Sequence, residues 1–138
     1  MSSSSPDQEG KPSQFIFDTS AVLAIIFNEP GAESAIPHLS SGVFSTVNLA
    51  EAATVGVRKG IEFIAVREML SRLPLEIVPL DDNHAYRTAS LQPFAQSHNL
   101  SLGDRACLGV ALSLGLPVLT ADRRWAELTL GIEVRLIR

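Results

Sequence analysis

The chain of 138 residues carries one cysteine, Cys107, so no intrachain disulfide can form. Its place on an apolar segment, with no histidine near it in sequence, makes it a small buried hydrophobe rather than an activated thiol. No run approaches the ~18 consecutive apolar residues of a membrane span. The three histidines, His38, His84 and His98, are scattered without ligand spacing. With a single thiol beside them, they leave zinc without a ligand set. Basic residues are not in excess either: 11 Lys and Arg stand against 15 Asp and Glu, for a net charge of −4. That balance does not point to binding of nucleic acid by bulk electrostatics, although net charge is a sum over the whole molecule. The opening "MSSSSPDQEGKPSQ" has no basic start followed by an apolar stretch, so it is no secretory signal, and a cytoplasmic location is the expectation. Its Ser, Pro and Gly content reads as a flexible tail over residues 1–14.

What remains is apolar enough to fold. At 46% hydrophobic residues, 15–138 can fill the core of one domain. Short β-rich runs at 14–18, 42–47, 75–80, 117–122 and 132–137 alternate with helical stretches. Helices are predicted over 20–29, less regularly over 32–41, from Asn48 to Gly60, over 61–73, in part over 82–99, and over 101–114. Asn48 reads as an N-cap with Glu51 completing a capping box. The 61–73 helix shows a stripe through Ile61, Ile64, Ala65, Met69 and Leu73. Pro79 places the third strand at an edge, Pro93 breaks the 82–99 stretch, and Gly115 stops the last helix. Strands alternating with helices predict an α/β fold, with helices on both faces of a central, mostly parallel five-stranded sheet.

Four acids then occupy equivalent places. Asp18 directly follows the first strand, and Asp122 the fourth. Glu51 and Asp104 lie near the starts of helices. In an open parallel sheet these positions share one edge, where ligands bind. Each acid has a local explanation as a helix cap; Ser101 and Asp104 in particular read as a capping box. Burial resists that account. Asp18 ends the run Phe15-Ile16-Phe17, Asp104 opens an apolar helix, and Asp122 follows Val118-Leu119. Buried carboxylates need partners, and no lysine or arginine is placed inside the core segments to pair with all four. A hard divalent cation, Mg²⁺ or Mn²⁺, turns the crowding into affinity.

The ordered segments "FDTSAVLA" (17–24), "NLAEA" (48–52), "SLGDRACLGVAL" (101–112) and "VLTADRRW" (118–125) resemble the PIN-domain nucleases. Within that family they resemble the VapC-type toxins of type II toxin–antitoxin pairs. The resemblance covers 15–138. It implies a three-layer α/β/α, Rossmann-like fold and Mg²⁺- or Mn²⁺-dependent endonucleolytic cleavage of RNA, leaving a 5′-phosphate and a 3′-hydroxyl. It assigns Asp18, Glu51, Asp104 and Asp122 to the acidic, metal-binding set. Thr120 matches a small hydroxyl residue two before the last acid. Thr19 and Ser20 match a hydroxyl pair that either orients carboxylates or caps the helix. The resemblance further implies a homodimer and a small VapB-like antitoxin partner that inserts a basic side chain into the site. The leader of 14 residues is longer than the family pattern.

RNA approaching an acidic cluster needs cations beside it. Arg105, Arg123 and Arg124 are the candidate RNA contacts, with Arg58 and Lys59 further off; charges at such places also pair locally. Trp125 and Tyr86 could stack on a base, although a tryptophan more often covers a sheet. A response-regulator receiver would need a lysine after a late strand, and the lysines here are Lys11 and Lys59. A haloacid-type phosphatase would need Asp-x-Asp where Asp18-Thr19-Ser20 stands. The remaining alternative is a non-catalytic PIN scaffold that binds RNA or a protein partner.

Overall fold

The computed structural model describes residues 14–138. The tail expected over 1–14 lies outside the described residues, apart from Gln14. Five strands, β1 (Ile16–Phe17), β2 (Val43–Ser45), β3 (Glu76–Val78), β4 (Val118–Thr120) and β5 (Val134–Leu136), form one sheet in the order β3-β2-β1-β4-β5. Every neighbouring pair is parallel. The strands are shorter than their apolar runs, because each ends where the chain turns into a helix or a polar loop. β3, with Pro79 just beyond it, is an edge strand, as its proline requires.

The chain leaves the central β1 toward β2 on one side and later returns to lay β4 on the other. Strand order therefore reverses between β1 and β4, and this reversal opens a crevice at their carboxyl ends. The register pairs Ile16 with Val118 and Phe17 with Leu119, so Asp18 comes level with Thr120 one step further on.

Alternation along β1 divides the core in two. Phe15 and Phe17 point into a cluster with Ala21, Val22 and Ala24 of α1 (Thr19–Ile26), Ala35 of α2 (Ala32–Ala35), Ala52 of α3 (Thr46–Arg58), and Val66 and Leu70 of α4 (Phe63–Ser71). Ile16 points the opposite way, toward Cys107, Leu108, Val110 and Ala111 of α7 (Leu102–Leu114) and toward Trp125. Between β3 and α7 lie α5 (Asp82–Ser90) and α6 (Gln92–His98). Full burial of each large side chain contributes roughly 1.5–3 kcal/mol; these two clusters hold the sheet between two helical layers, the expected three-layer arrangement.

Several local expectations are corrected. Helix α3 starts at Thr46, not after Asn48: Ser45 is its N-cap and accepts from the Asn48 backbone N–H. Glu51 therefore lies in the second turn rather than in a capping box. The buried stripe of α4 is Val66 and Leu70, whereas Ile64 is 73% exposed. The i,i+4 pair facing α3 wins over the longer stripe read from the sequence. Residues 32–41 divide into α2 and a 3₁₀ turn over Ile36–Ser41 with Pro37 in its first turn. The 82–99 stretch breaks at Leu91, with Pro93 in the first turn of α6. Gly115 ends α7 with φ 66°, a left-handed stop that favours glycine.

Candidate active site

The β1–β4 crevice is where the acids meet. Asp18 follows β1 with 4% of its surface exposed. By position it is the N-cap of α1, yet its side chain makes no capping hydrogen bond. Its Oδ2 accepts instead from Ser20 Oγ at 2.7 Å and from Thr120 Oγ1 at 2.8 Å. The two hydroxyls are themselves anchored: Ser20 Oγ accepts from the Ala121 N–H at 2.9 Å, and Thr120 Oγ1 from the Asp122 N–H at 3.0 Å. A short network thus stitches the end of β1 to the end of β4 and fixes the Asp18 carboxylate. Burial pushes its pKa up to about 6, against the downward pull of the Ser20 and Thr120 hydroxyls and the Thr19 amide; the negative charge of Asp104 adds to the rise.

Asp104 enters from the first turn of α7. The expected capping box with Ser101 is present: the Ser101 N–H donates to Asp104 Oδ2 at 2.9 Å, and the Asp104 N–H donates to Ser101 Oγ at 3.1 Å. The box is not the whole of its role. Partial burial raises its pKa despite both bonds to Ser101, and the negative charges of Glu51 and Asp122 raise it further. Asp104 thus feels Glu51 and Asp122 while Asp18 feels Asp104: the four carboxylates share one field. Cys107, one turn further along α7, is fully buried. Its thiol pKa is driven well up by burial and by the same acids, Asp18, Asp104 and Glu51, so it stays protonated and inert.

Glu51 reaches in from α3. Its Oε1 accepts from Thr19 Oγ1 at 2.7 Å and from Asn48 Nδ2 at 2.9 Å. The carboxylate lies directly over Gly103, where an added Cβ would collide with it. Asp122 stands at the rim. Its Oδ1 caps the 3₁₀ turn Arg123–Glu127 through the Arg124 N–H at 3.0 Å. The Arg124 guanidinium grips both of its oxygens, Nε to Oδ1 at 3.0 Å and Nη2 to Oδ2 at 2.7 Å. That grip holds the Asp122 pKa below the ordinary range.

Of the hydroxyls singled out in the sequence, Thr19 donates to Glu51, and Ser20 and Thr120 donate to Asp18. Of the cations, Arg123 is exposed, Arg124 is engaged with Asp122, and Arg105 carries a buried Nε without a protein partner. Trp125 is 1% exposed and belongs to the core, while Tyr86, on α5, is 78% exposed. Three residues of the site were not anticipated: Asn48, Ser45 and Gly103. A glycine inside an otherwise apolar helix is the kind of signal that marks a close approach. Asn48 reads from sequence as a helix cap, which conceals it.

The donor set is all oxygen, the chemistry of a hard divalent cation rather than of zinc. Asp18, Glu51, Asp104 and Asp122 are the residues that could hold one. Among the described residues no three Asp, Glu, His or Cys side chains are already spaced as a metal-holding group. A closed cage is not what Mg²⁺ requires, since it keeps several waters and takes one or two carboxylates directly. A buried acid with a raised pKa and no lysine or arginine beside it fits that demand.

None of the curated protein sequences compared with the chain matches it significantly. Solved structures do. The DNA-bound VapBC of Salmonella typhimurium superimposes with a TM-score of 0.73 at 24% identity, over 92% of this chain and 100% of that one. VapBC-5 of Mycobacterium tuberculosis gives 0.61 at 27% identity, over 92% and 99%. PAE2754 of Pyrobaculum aerophilum gives 0.62 at 18% identity, over 88% and 90%. The family model described as the PIN domain matches residues 15–129, a span that takes in β1 to β4 and all four acids. The chain therefore belongs to the PIN-domain family.

Proposed function

We propose that the protein is a Mg²⁺- or Mn²⁺-dependent endoribonuclease, the VapC-type toxin of a type II toxin–antitoxin pair. One observation carries the reading: acids that follow β1 and β4 and that lie on α3 and α7 fall within one another's electrostatic reach through Asp104, and the most buried of them, Asp18, has hydroxyls for partners but no cation. The likeness to VapBC structures supports the toxin role and, with it, a small VapB-like antitoxin as partner; a homodimer is what the family resemblance adds to this reading. No helix among the described residues is long and apolar enough to cross a membrane; a cytoplasmic location is part of the toxin reading.

Asp18, Asp104 and Asp122 are the direct or water-mediated ligands in this reading, and Glu51 binds a second ion or orients water. A bound ion supplies positive charge to the phosphodiester and acidity to a coordinated water. The chain's own groups do the rest. Ser20 and Thr120 hold Asp18 in one rotamer, Thr19 does the same for Glu51, and Ser101 holds Asp104. Arg123 lies free at the rim to meet a phosphate, and Arg124 can do so once it leaves Asp122.

The experiment is cleavage of a structured RNA by the purified chain with Mg²⁺, with Mn²⁺ and with chelator, beside an Asp104→Asn variant. Cleavage that needs the metal and is lost in the variant is the expected result. RNA or antitoxin binding without metal-dependent cleavage would make the protein a non-catalytic PIN scaffold instead.

A further inference from the structure

Asn48 is completely buried, and its amide is fully committed. Ser45 Oγ accepts from the Asn48 backbone N–H at 3.1 Å, so its own proton is free to go to Asn48 Oδ1, 2.6 Å away. That bond fixes which way the amide faces. The two Nδ2 protons then have one destination each: Glu51 Oε1 at 2.9 Å and the backbone carbonyl of Gly103 at 3.1 Å. Gly103 immediately precedes Asp104. One side chain on α3 therefore grips one acid and the backbone that carries the next.

Helix start does not account for it. Ser45 already caps α3, and an apolar residue at 48 would pack between α3 and α7 without desolvating an amide. What the amide gains in return is a hold on the Glu51 carboxylate and on the backbone that carries Asp104. Oε1 is held from two sides, by Asn48 and by Thr19. The far face of the carboxylate is set by Gly103, which leaves no room for a Cβ. Such a carboxylate has lost the rotational freedom that a glutamate at a helix surface keeps.

We propose that Asn48 is a positioning residue: pinned by Ser45, it aims the Glu51 carboxylate and ties it to the Gly103 backbone, so that Glu51 and Asp104 keep one separation when a divalent cation enters. The inference rests on the metal-dependent reading of the site. Residues that orient ligands in this way typically change metal affinity by about 10- to 100-fold when removed.

The test is Mn²⁺ binding to the full-length chain by calorimetry, for the parent, Asn48→Ala and Ser45→Gly, with thermal melts in chelator to establish that each is folded. Asn48→Ala is expected to weaken Mn²⁺ about 10- to 100-fold. Ser45→Gly, which keeps the amide but frees its orientation, is expected to weaken it less. A purely structural role would lower the melting temperature and leave the Mn²⁺ affinity of the folded protein unchanged. Equal affinity in parent and Asn48→Ala therefore overturns the inference while the metal-dependent reading stands. If Asn48→Ala does not fold, unchanged affinity in Ser45→Gly overturns it, and weakened affinity supports it. A parent that binds no Mn²⁺ overturns the reading of the site and the inference together.

Discussion

Thr120 Oγ1 donates to Asp18 Oδ2 at 2.8 Å and accepts from the Asp122 N–H at 3.0 Å, so one hydroxyl connects the acid at the end of β1 to the backbone of the acid after β4. Thr120 is 0% exposed, and neither bond can be replaced by solvent without opening the crevice. Thr120→Val keeps the shape and removes both. A buried amide left unpaired costs about 1–3 kcal/mol, and a drop of that size in urea-unfolding stability is expected. Loss of the Asp18 orientation should in addition lower RNA cleavage about 10- to 100-fold, more than the stability change alone explains when both are measured well below the melting temperature.

Asp18 makes the metal-free protein less stable at neutral pH. Its folded pKa of about 6 lies above the ordinary 3.8. For an acid shifted upward, the folded state holds the proton more tightly, so stability is present at low pH and is lost as pH rises through the window from ~4 to ~6. The difference of roughly two pKa units corresponds to about 3 kcal/mol at pH 7. Asp18→Asn retains an oxygen for Ser20 and Thr120 and removes the charge. It should unfold at higher urea than the parent at pH 7 in chelator, lose that advantage near pH 4, and have no cleavage activity. A variant less stable than the parent at pH 7 would refute the assignment of a buried, uncompensated charge.

The sequence made Asp18 and Asp122 visible because a carboxylate directly after an apolar strand has few local uses. It made the sheet visible because Pro79, Pro93 and Gly115 punctuate the pattern where the elements end. It could not show Asn48. An asparagine before a helical run reads as a cap, and its bond to Gly103 joins residues 55 positions apart in the chain. Nor could it show which face of α4 is buried, since Phe63 and Ile64 are apolar yet 60% and 73% exposed. Periodicity reports that apolar residues recur, not which neighbour they meet. The pairing of Arg124 with Asp122 was one of two open readings, because a cation next to an acid can serve the acid or the substrate.

Gly103→Ala separates activity from stability in the opposite direction. Within a helix the change from glycine to alanine favours folding by about 1 kcal/mol. Here the new Cβ meets the pinned Glu51 carboxylate rather than backbone, and pushing it aside breaks its bonds to Thr19 and Asn48, a cost of about 1–3 kcal/mol that offsets the helical gain. The expected outcome is a folded protein with a melting temperature at or a few degrees below that of the parent. Displacing Glu51 from its place between Thr19 and Asn48 should nevertheless lower cleavage about 10- to 100-fold. Melts and initial cleavage rates on the same preparation check it; parental activity would mean that the position of Glu51 does not matter to the reaction.

Arg124 holds both oxygens of Asp122 in a pair exposed to solvent, with 56% of the arginine side chain accessible. Such pairs contribute little to stability, so Arg124→Gln should melt within a degree or two of the parent. Its effect belongs to charge. Without the guanidinium the Asp122 pKa returns upward, because that contact is the largest cause of its depression. If the same arginine contacts a phosphate when RNA arrives, its removal weakens RNA binding and reduces the slope of log affinity against log salt by about one. Filter binding of the Asp104→Asn protein, with and without Arg124→Gln, over a salt series reads that slope without cleavage intervening. An unchanged slope would confine Arg124 to its pair with Asp122 and leave Arg123 as the candidate cation at the rim.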